Sequence, residues 1–149
     1  MTLDELTAIE EIRRLKARYF RFLDRKQWDE WTDLFVEDLH VEIDEPGATM
    51  ALDSRADFVA ATSKALEGII TVHHGHMSEI TLDGLDKASA IWSMEDHLSP
   101  APGGGDHYWG MGWYEERYEA DDTNTWRIAE TKLVRQRVVL DGKQIFPAT

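Results

Sequence analysis

Hydrophobic residues recur at three- and four-residue spacing along the first segment: Leu6, Ile9, Ile12, Leu15, Tyr19 and Leu23. That spacing draws one stripe on a helix, and Thr2 with Glu5 supplies a capping box at its start. The pattern predicts a helix running to about Asp24. Trp28, Trp31, Leu34 and Phe35 continue at helical spacing in a second, short helix. Val41 and Ile43 alternate with acids before Glu45-Pro46-Gly47, which reads as a short strand closed by a turn. Ser54 and Asp57 form a further N-cap signal, and Phe58, Val59, Ala61, Thr62, Ala65 and Leu66 carry a third helix to Gly68.

Beyond Gly68 the period changes to two. Runs over residues 69–82, 87–98, 108–119 and 126–140 read as strands, each longer than the common strand of about five or six residues. Residues 99–106, Ser-Pro-Ala-Pro-Gly-Gly-Gly-Asp, read as a flexible loop. Long neighbouring strands joined by short turns must curl as they twist. Three helices followed by such a sheet predict an α+β domain with the helices on one face. The expected shape is a cone whose sheet is strongly curved, with a mouth suited to a small molecule. A single domain is expected over residues 1–140, with a C-terminal tail at 141–149.

Composition narrows the function classes. The chain has 149 residues, 16 Lys+Arg against 29 Asp+Glu, a net charge of −13 and no cysteine. The acidic balance argues against a nucleic-acid partner, which asks for a basic patch. No window approaches the ~18 apolar residues of a membrane span, so no membrane partner is expected. The acidic start Met1-Thr2-Leu3-Asp4-Glu5 lacks the basic and apolar stretches of a secretory signal, so a cytoplasmic location is expected. Without cysteine there is no thiolate metal site and no cysteine nucleophile.

The chemistry-bearing residues cluster in Val72-His73-His74-Gly75-His76. On a strand His73 faces one way while His74 and His76 face the other. Those last two, with a carboxylate from elsewhere, form a chelating pair suited to iron or zinc. Asp24, at the end of the first helix beside Phe20 and Leu23, is a candidate partner for His73. An aspartate accepting one imidazole N–H leaves the other ring nitrogen free to take a proton. From position alone Asp24 is equally a solvated helix-terminal acid. Tyr19 is a candidate donor to developing charge, or else a core tyrosine. Asp96, His97 and His107 flank the glycine-rich loop as weaker candidates for a lid. Arg135 and Arg137 sit on one face of the last strand, and if that face is inward one of them is suited to hold a substrate carboxylate or to balance Asp24. Tyr108, Gly110, Gly112, Tyr114 and Tyr118 share a face, and two glycines among aromatics suggest a cavity wall.

These features resemble the nuclear transport factor 2-like superfamily in its SnoaL-like branch, over nearly the whole chain. The resemblance rests on the first helix with its Tyr19-x4-Asp24 ending, Trp31-x2-Leu34-Phe35, the Ser54–Phe58 helix start, Val72-His73-His74-Gly75-His76 and Trp126-Arg127-Ile128. It implies a cystatin-like cone with a mixed or antiparallel sheet. Within the branch the chain is similar to scytalone dehydratase, bile acid 7α-dehydratase and hexachlorocyclohexane dehydrochlorinase. In those cofactor-free lyases an aspartate late in the first helix orients a histidine base on the sheet; Asp24 and His73 stand at those positions, and Tyr19 at that of the dehydratases' tyrosine. Two departures stand out. The second histidine of scytalone dehydratase has only His107 as a counterpart, and Thr131 falls near the dehydrochlorinase's basic residue, with Arg135 further on.

The expectation is therefore a cofactor-independent lyase of dehydratase type, or an isomerase, acting on a small hydrophobic cyclic or aromatic substrate. Carbon–carbon cleavage of an aryl diol would use the same base. Asp24, His73 and Tyr19 are the expected catalytic residues, and Phe20, Trp92, Tyr108, Tyr114 and Arg135 the expected substrate contacts, with no metal in the site. The resemblance also implies a homodimer or homotrimer. One alternative is a non-catalytic ligand-binding or assembly module, which predicts a filled cavity or no contact between Asp24 and His73. Another is a metal-assisted oxygenase or hydrolase built on His74 and His76.

Overall fold

Thr2 opens α1 (Leu3–Asp24) with two reciprocal bonds: its hydroxyl accepts the Glu5 N–H at 3.2 Å, and Glu5 Oε2 accepts the Thr2 N–H at 2.6 Å. A computed structural model of the chain describes residues 1–45, 48–100 and 107–147. At its far end α1 stops in a Schellman motif. The Gln27 N–H reaches the Phe22 carbonyl at 2.9 Å and the Lys26 N–H the Leu23 carbonyl at 3.1 Å, with Lys26 left-handed at φ 57°. This stop makes Asp24 the last helical residue.

The second helix, α2 (Trp28–Thr32), is shorter than its apolar spacing suggests. Leu34 and Phe35 lie beyond it, and Phe35 begins β1 (Phe35–Glu45), where it pairs with Ile128 and is fully buried. Tertiary pairing overrides helical spacing there. A strand absent from the sequence reading, β2 (Ala48–Leu52), runs antiparallel to β1; the Pro46-Gly47 turn expected between them lies outside the described residues. Ser54 caps α3 (Arg55–Ala65) by accepting the Asp57 N–H at 3.3 Å.

The long strands follow as β3 (Ile69–Asp83), β4 (Lys87–Pro100), β5 (Tyr108–Ala120) and β6 (Trp126–Leu140). Ser99 and Pro100 of the expected loop belong to β4, and the rest of it, 101–106, lies outside the described residues. Part of the expected tail forms β7 (Lys143–Phe146), antiparallel to β6. The sheet order is β2-β1-β6-β5-β4-β3, with only β1 and β6 parallel, so the sheet is mixed. It curls around the helices without closing. On β6, Ala129 and Gln136 each lack a partner on β5. Such bulges reset the alternation of side chains and bend the strand. No helix among the described residues is long and apolar enough to cross a membrane.

Ile12, Leu15 and Tyr19 of α1 pack with Trp31, Phe35 and Leu39 in the core. One charged pair is sealed within it. Lys16 Nζ lies 2.6 Å from Glu116 Oε1, both side chains being fully buried. Burial pushes the Lys16 ammonium down, against the pull of Glu116. The Thr131 hydroxyl donates to Glu116 at 2.9 Å, and the Tyr118 hydroxyl donates to its other oxygen.

Candidate active site

The Schellman end of α1 delivers the Asp24 carboxylate to β3, the edge strand of the sheet. An edge strand presents backbone N–H groups that no neighbour pairs, and Asp24 takes one of them. Asp24 Oδ2 accepts the His73 N–H at 3.0 Å, while Oδ1 accepts the Thr71 hydroxyl at 2.9 Å and lies 2.7 Å from His73 Nδ1. Lys26 Nζ donates to the Thr71 hydroxyl at 2.7 Å, which fixes the direction of that hydroxyl's own proton. An ionised carboxylate only accepts, so in the neutral imidazole this contact places the proton on Nδ1 and leaves Nε2 with a lone pair.

His73 lines a cavity of about 360 Å³ between the sheet and the helices. α3 contributes Phe58, Ala61, Thr62 and Ala65, a single helical stripe turned toward this space, and its C-cap Leu66 adds to it. Val41, Ile43, Met50 and Leu133 extend the apolar wall. The polar arc contains His73, Asp96, Arg135, Glu45, Tyr108, Tyr114 and Tyr19. Burial pushes the hydroxyls of Tyr19, Tyr114 and Tyr108 well up, so they stand as neutral phenols. Lys16 Nζ sits 3.9 Å from the Tyr19 ring centre and 3.7 Å from that of Tyr114, holding both rings from behind.

Arg135 is enclosed by acids. It donates to both oxygens of Asp96, at 2.9 and 2.8 Å, and twice to Glu45 Oε1, at 3.2 and 2.9 Å. Its guanidinium is therefore occupied rather than open to a substrate carboxylate. Arg137 does not share its face, because the Gln136 bulge intervenes: Arg135 is buried and Arg137 exposed. The Tyr108 hydroxyl donates to Glu45 at 2.8 Å and is likewise committed.

The structure thus brings His73, Tyr19, Tyr108, Tyr114 and Arg135 to one cavity, with Asp24 bonded to His73 but outside the lining, and leaves two expected contacts away from it. The Phe20 ring covers Gly75, where an added Cβ would meet it at 2.6 Å. Trp92 is buried and donates its indole N–H to the Tyr118 hydroxyl at 2.9 Å. Neither lines the cavity. The glycine face of β5 also differs from the open wall its sequence suggests. A Cβ on Gly110 would overlap Arg135 Nη1 and Asp96 Oδ1, and one on Gly112 would overlap the Val134 carbonyl. Those glycines admit an ion pair and a bulge.

Asp96, expected beside a lid, is a buried residue of β4 directly opposite His73. Its signal in the sequence was the inward series Ala88, Ala90, Trp92, Met94, Asp96, an acid continuing an apolar alternation. Glu45 and Thr71 carried no comparable signal. His74 and His76 are half exposed on the opposite face of the sheet, away from the cavity, and His97 stacks on Trp109 at 5.5 Å.

Residues 4–132 match the model of the SnoaL-like domain, and the chain belongs to that family. Its fold is similar to that of a candidate scytalone dehydratase from Novosphingobium aromaticivorans, 18% identical, with a TM-score of 0.81 over 93% of this chain and 91% of that one. A type 2 hexachlorocyclohexane dehydrochlorinase is 17% identical, with a TM-score of 0.79 and coverage of 93% and 91%. A protein of unknown function from Mycobacterium tuberculosis is 25% identical, with a TM-score of 0.74 over 89% of this chain and 74% of that one. These likenesses define the fold as the nuclear transport factor 2-like α+β cone.

Proposed function

We propose that the protein is a cofactor-independent lyase of dehydratase type, in which His73 Nε2 removes a proton from carbon. The observation that carries this reading is the Asp24–His73 contact of 2.7 Å at the edge of a half-open, mostly apolar cavity. Asp24 holds the ring and stabilises the imidazolium that forms. The electron pair of the broken C–H bond becomes a C=C bond, and a hydroxyl on the next carbon leaves as water by taking the proton back from the His73 imidazolium, which returns the ring to its neutral form. Tyr19, a neutral phenol in the wall, donates to the oxygen on which charge develops. None of these steps asks for a metal or an organic cofactor.

The cavity volume lies near the lower end of the ~300–1,000 Å³ range of ligand sites, which suits one ring or two fused rings. With Arg135 neutralised by Asp96 and Glu45, the polar arc offers no free cation to an anionic substrate among the described residues. The substrate class is an uncharged cyclic or aryl β-hydroxyketone, or an analogue with an equally acidified C–H. Isomerisation of a double bond in such a ring uses the same base. Support over a non-catalytic module comes from the cavity and the Asp24–His73 contact occurring together. Support over catalysis at His74 and His76 comes from their position on the other face of the sheet.

The test is a panel of cyclic and aryl β-hydroxyketones incubated in D₂O, with elimination and carbon-bound deuterium followed by NMR. The wild-type chain is expected to accelerate one or more of them. Asp24→Asn and His73→Ala should each lose about 10²–10⁴-fold of that rate with unchanged circular dichroism. Either variant retaining the wild-type rate on an accelerated substrate, or no acceleration of any panel member, counts against the reading.

A further inference from the structure

On the convex face, behind the cavity, two imidazoles converge on a single carboxylate oxygen. His74 Nδ1 lies 3.6 Å and His76 Nε2 3.5 Å from Glu95 Oε1. Both separations are too long for good hydrogen bonds. They match another geometry. Two ligands bound to zinc at about 2.0–2.2 Å in a tetrahedral arrangement stand about 3.3–3.6 Å apart. The three ligand atoms all lie within 4.8 Å of one another, a spread that rotation of either half-exposed ring closes.

The strands preset this cluster. His74 and His76 are two residues apart on β3 and so share a face, and His74 pairs directly with Glu95 on β4. Glu95 is itself aimed. Trp109 Nε1 donates to its other oxygen, Oε2, at 3.4 Å, which leaves Oε1 to the imidazoles. An outer partner that orients a ligating carboxylate in this way is a usual part of a metal site. A further half-exposed histidine with two carboxylate neighbours, His40, lacks this convergence. His40 contacts Asp53 through Nδ1 and Glu42 through Nε2, so its carboxylates lie on opposite sides of the ring.

We infer that His74, His76 and Glu95 form a surface binding site for one divalent transition ion of the zinc class, distinct from the cavity and with its remaining coordination filled by water. Two imidazoles and one carboxylate suit zinc, nickel or copper rather than magnesium or calcium. The ion ties the edge strand β3 to β4, so it stabilises the folded chain without entering the proposed chemistry.

The test is titration of the purified 149-residue chain, stripped of metal with a chelator, with Zn²⁺ by calorimetry, alongside thermal unfolding with and without Zn²⁺. The expected result is one saturable site per chain and a rise in the unfolding midpoint. His74→Ala, His76→Ala and Glu95→Gln should each weaken binding by at least about tenfold and remove the rise. Their side chains are exposed or partly so, and circular dichroism checks that the folds match. His40→Ala and Asp24→Asn should bind as the wild type does. No saturable binding overturns the inference, as does binding that the three variants leave unchanged or that His40→Ala abolishes.

Discussion

His73 Nε2 stands 3.8 Å from Asp96 Oδ2, a gap that no hydrogen bond closes. Arg135 holds both Asp96 oxygens, so the carboxylate faces the imidazole without capturing it. The histidine is thereby flanked by two acids in different roles: Asp24 bonds Nδ1, and Asp96 lies near Nε2 where a substrate proton would arrive. Imidazolium forming at His73 would be stabilised from both sides, while the neutral ring keeps its lone pair open to the cavity.

Arg135→Met should expose the strength of this arrangement. It leaves Asp96 buried and unpaired and removes the cation from Glu45. Losing one partner of a buried pair costs about 3–5 kcal/mol, read as a drop in urea-unfolding stability. Combining Arg135→Met with Asp96→Asn should restore part of the loss, because the uncompensated charge is gone. Arg135→Lys should fall between, since an ammonium cannot grip both oxygens of Asp96 in a fork.

The Lys16–Glu116 pair predicts a second cycle. Glu116→Gln leaves a fully buried ammonium with no counter-charge and should destabilise the chain by about 3–5 kcal/mol. Lys16→Met with Glu116→Gln should recover most of it. Because Lys16 also supports the Tyr19 and Tyr114 rings, the double variant should bind cavity ligands more weakly even where its stability returns, which ligand titration separates from unfolding.

Acid sensitivity is expected at the turn between β5 and β6. The Asp121 carboxylate accepts the Thr123 hydroxyl at 2.6 Å, Arg127 Nη1 at 2.7 Å and the N–H groups of Thr125 and Thr123 at 3.1 and 2.9 Å. These contacts hold it well below the usual carboxylate range. A folded value below the unfolded one contributes stability that is fully present above the ordinary aspartate value of about 3.9 and is lost as the pH falls toward the folded value. The stability gap between wild type and Asp121→Asn should therefore be widest near neutral pH and narrow below about pH 4. Urea midpoints across that range check it.

The capping box at Thr2 and Glu5, the α1 stripe and the period-two runs depend on neighbours in sequence, so the helices and long strands could be read directly. His73 facing away from His74 and His76 needed only alternation. Arg135 depended on more, because the bulges at Ala129 and Gln136 reset the parity of β6 and separate it from Arg137. Asp96 continues the inward alternation of β4, but its place opposite His73 required cross-strand register, which no local pattern encodes. Phe20 and Trp92 showed the right chemistry near the right place, but helix rotation and the Tyr118 hydroxyl directed them elsewhere. Phe35 left the helical pattern because its partner, Ile128, lies far along the chain.

The central claim is that Asp24 fixes the His73 ring with its proton on Nδ1 and its lone pair on Nε2. Nitrogen-15 NMR of the histidine rings reads this directly near neutral pH, with His73→Ala used to assign the signal. The account predicts a protonated Nδ1 and a bare Nε2 in the wild type, and a loss of that preference in Asp24→Asn. A proton on Nε2, or on both nitrogens, in the wild-type chain would contradict it.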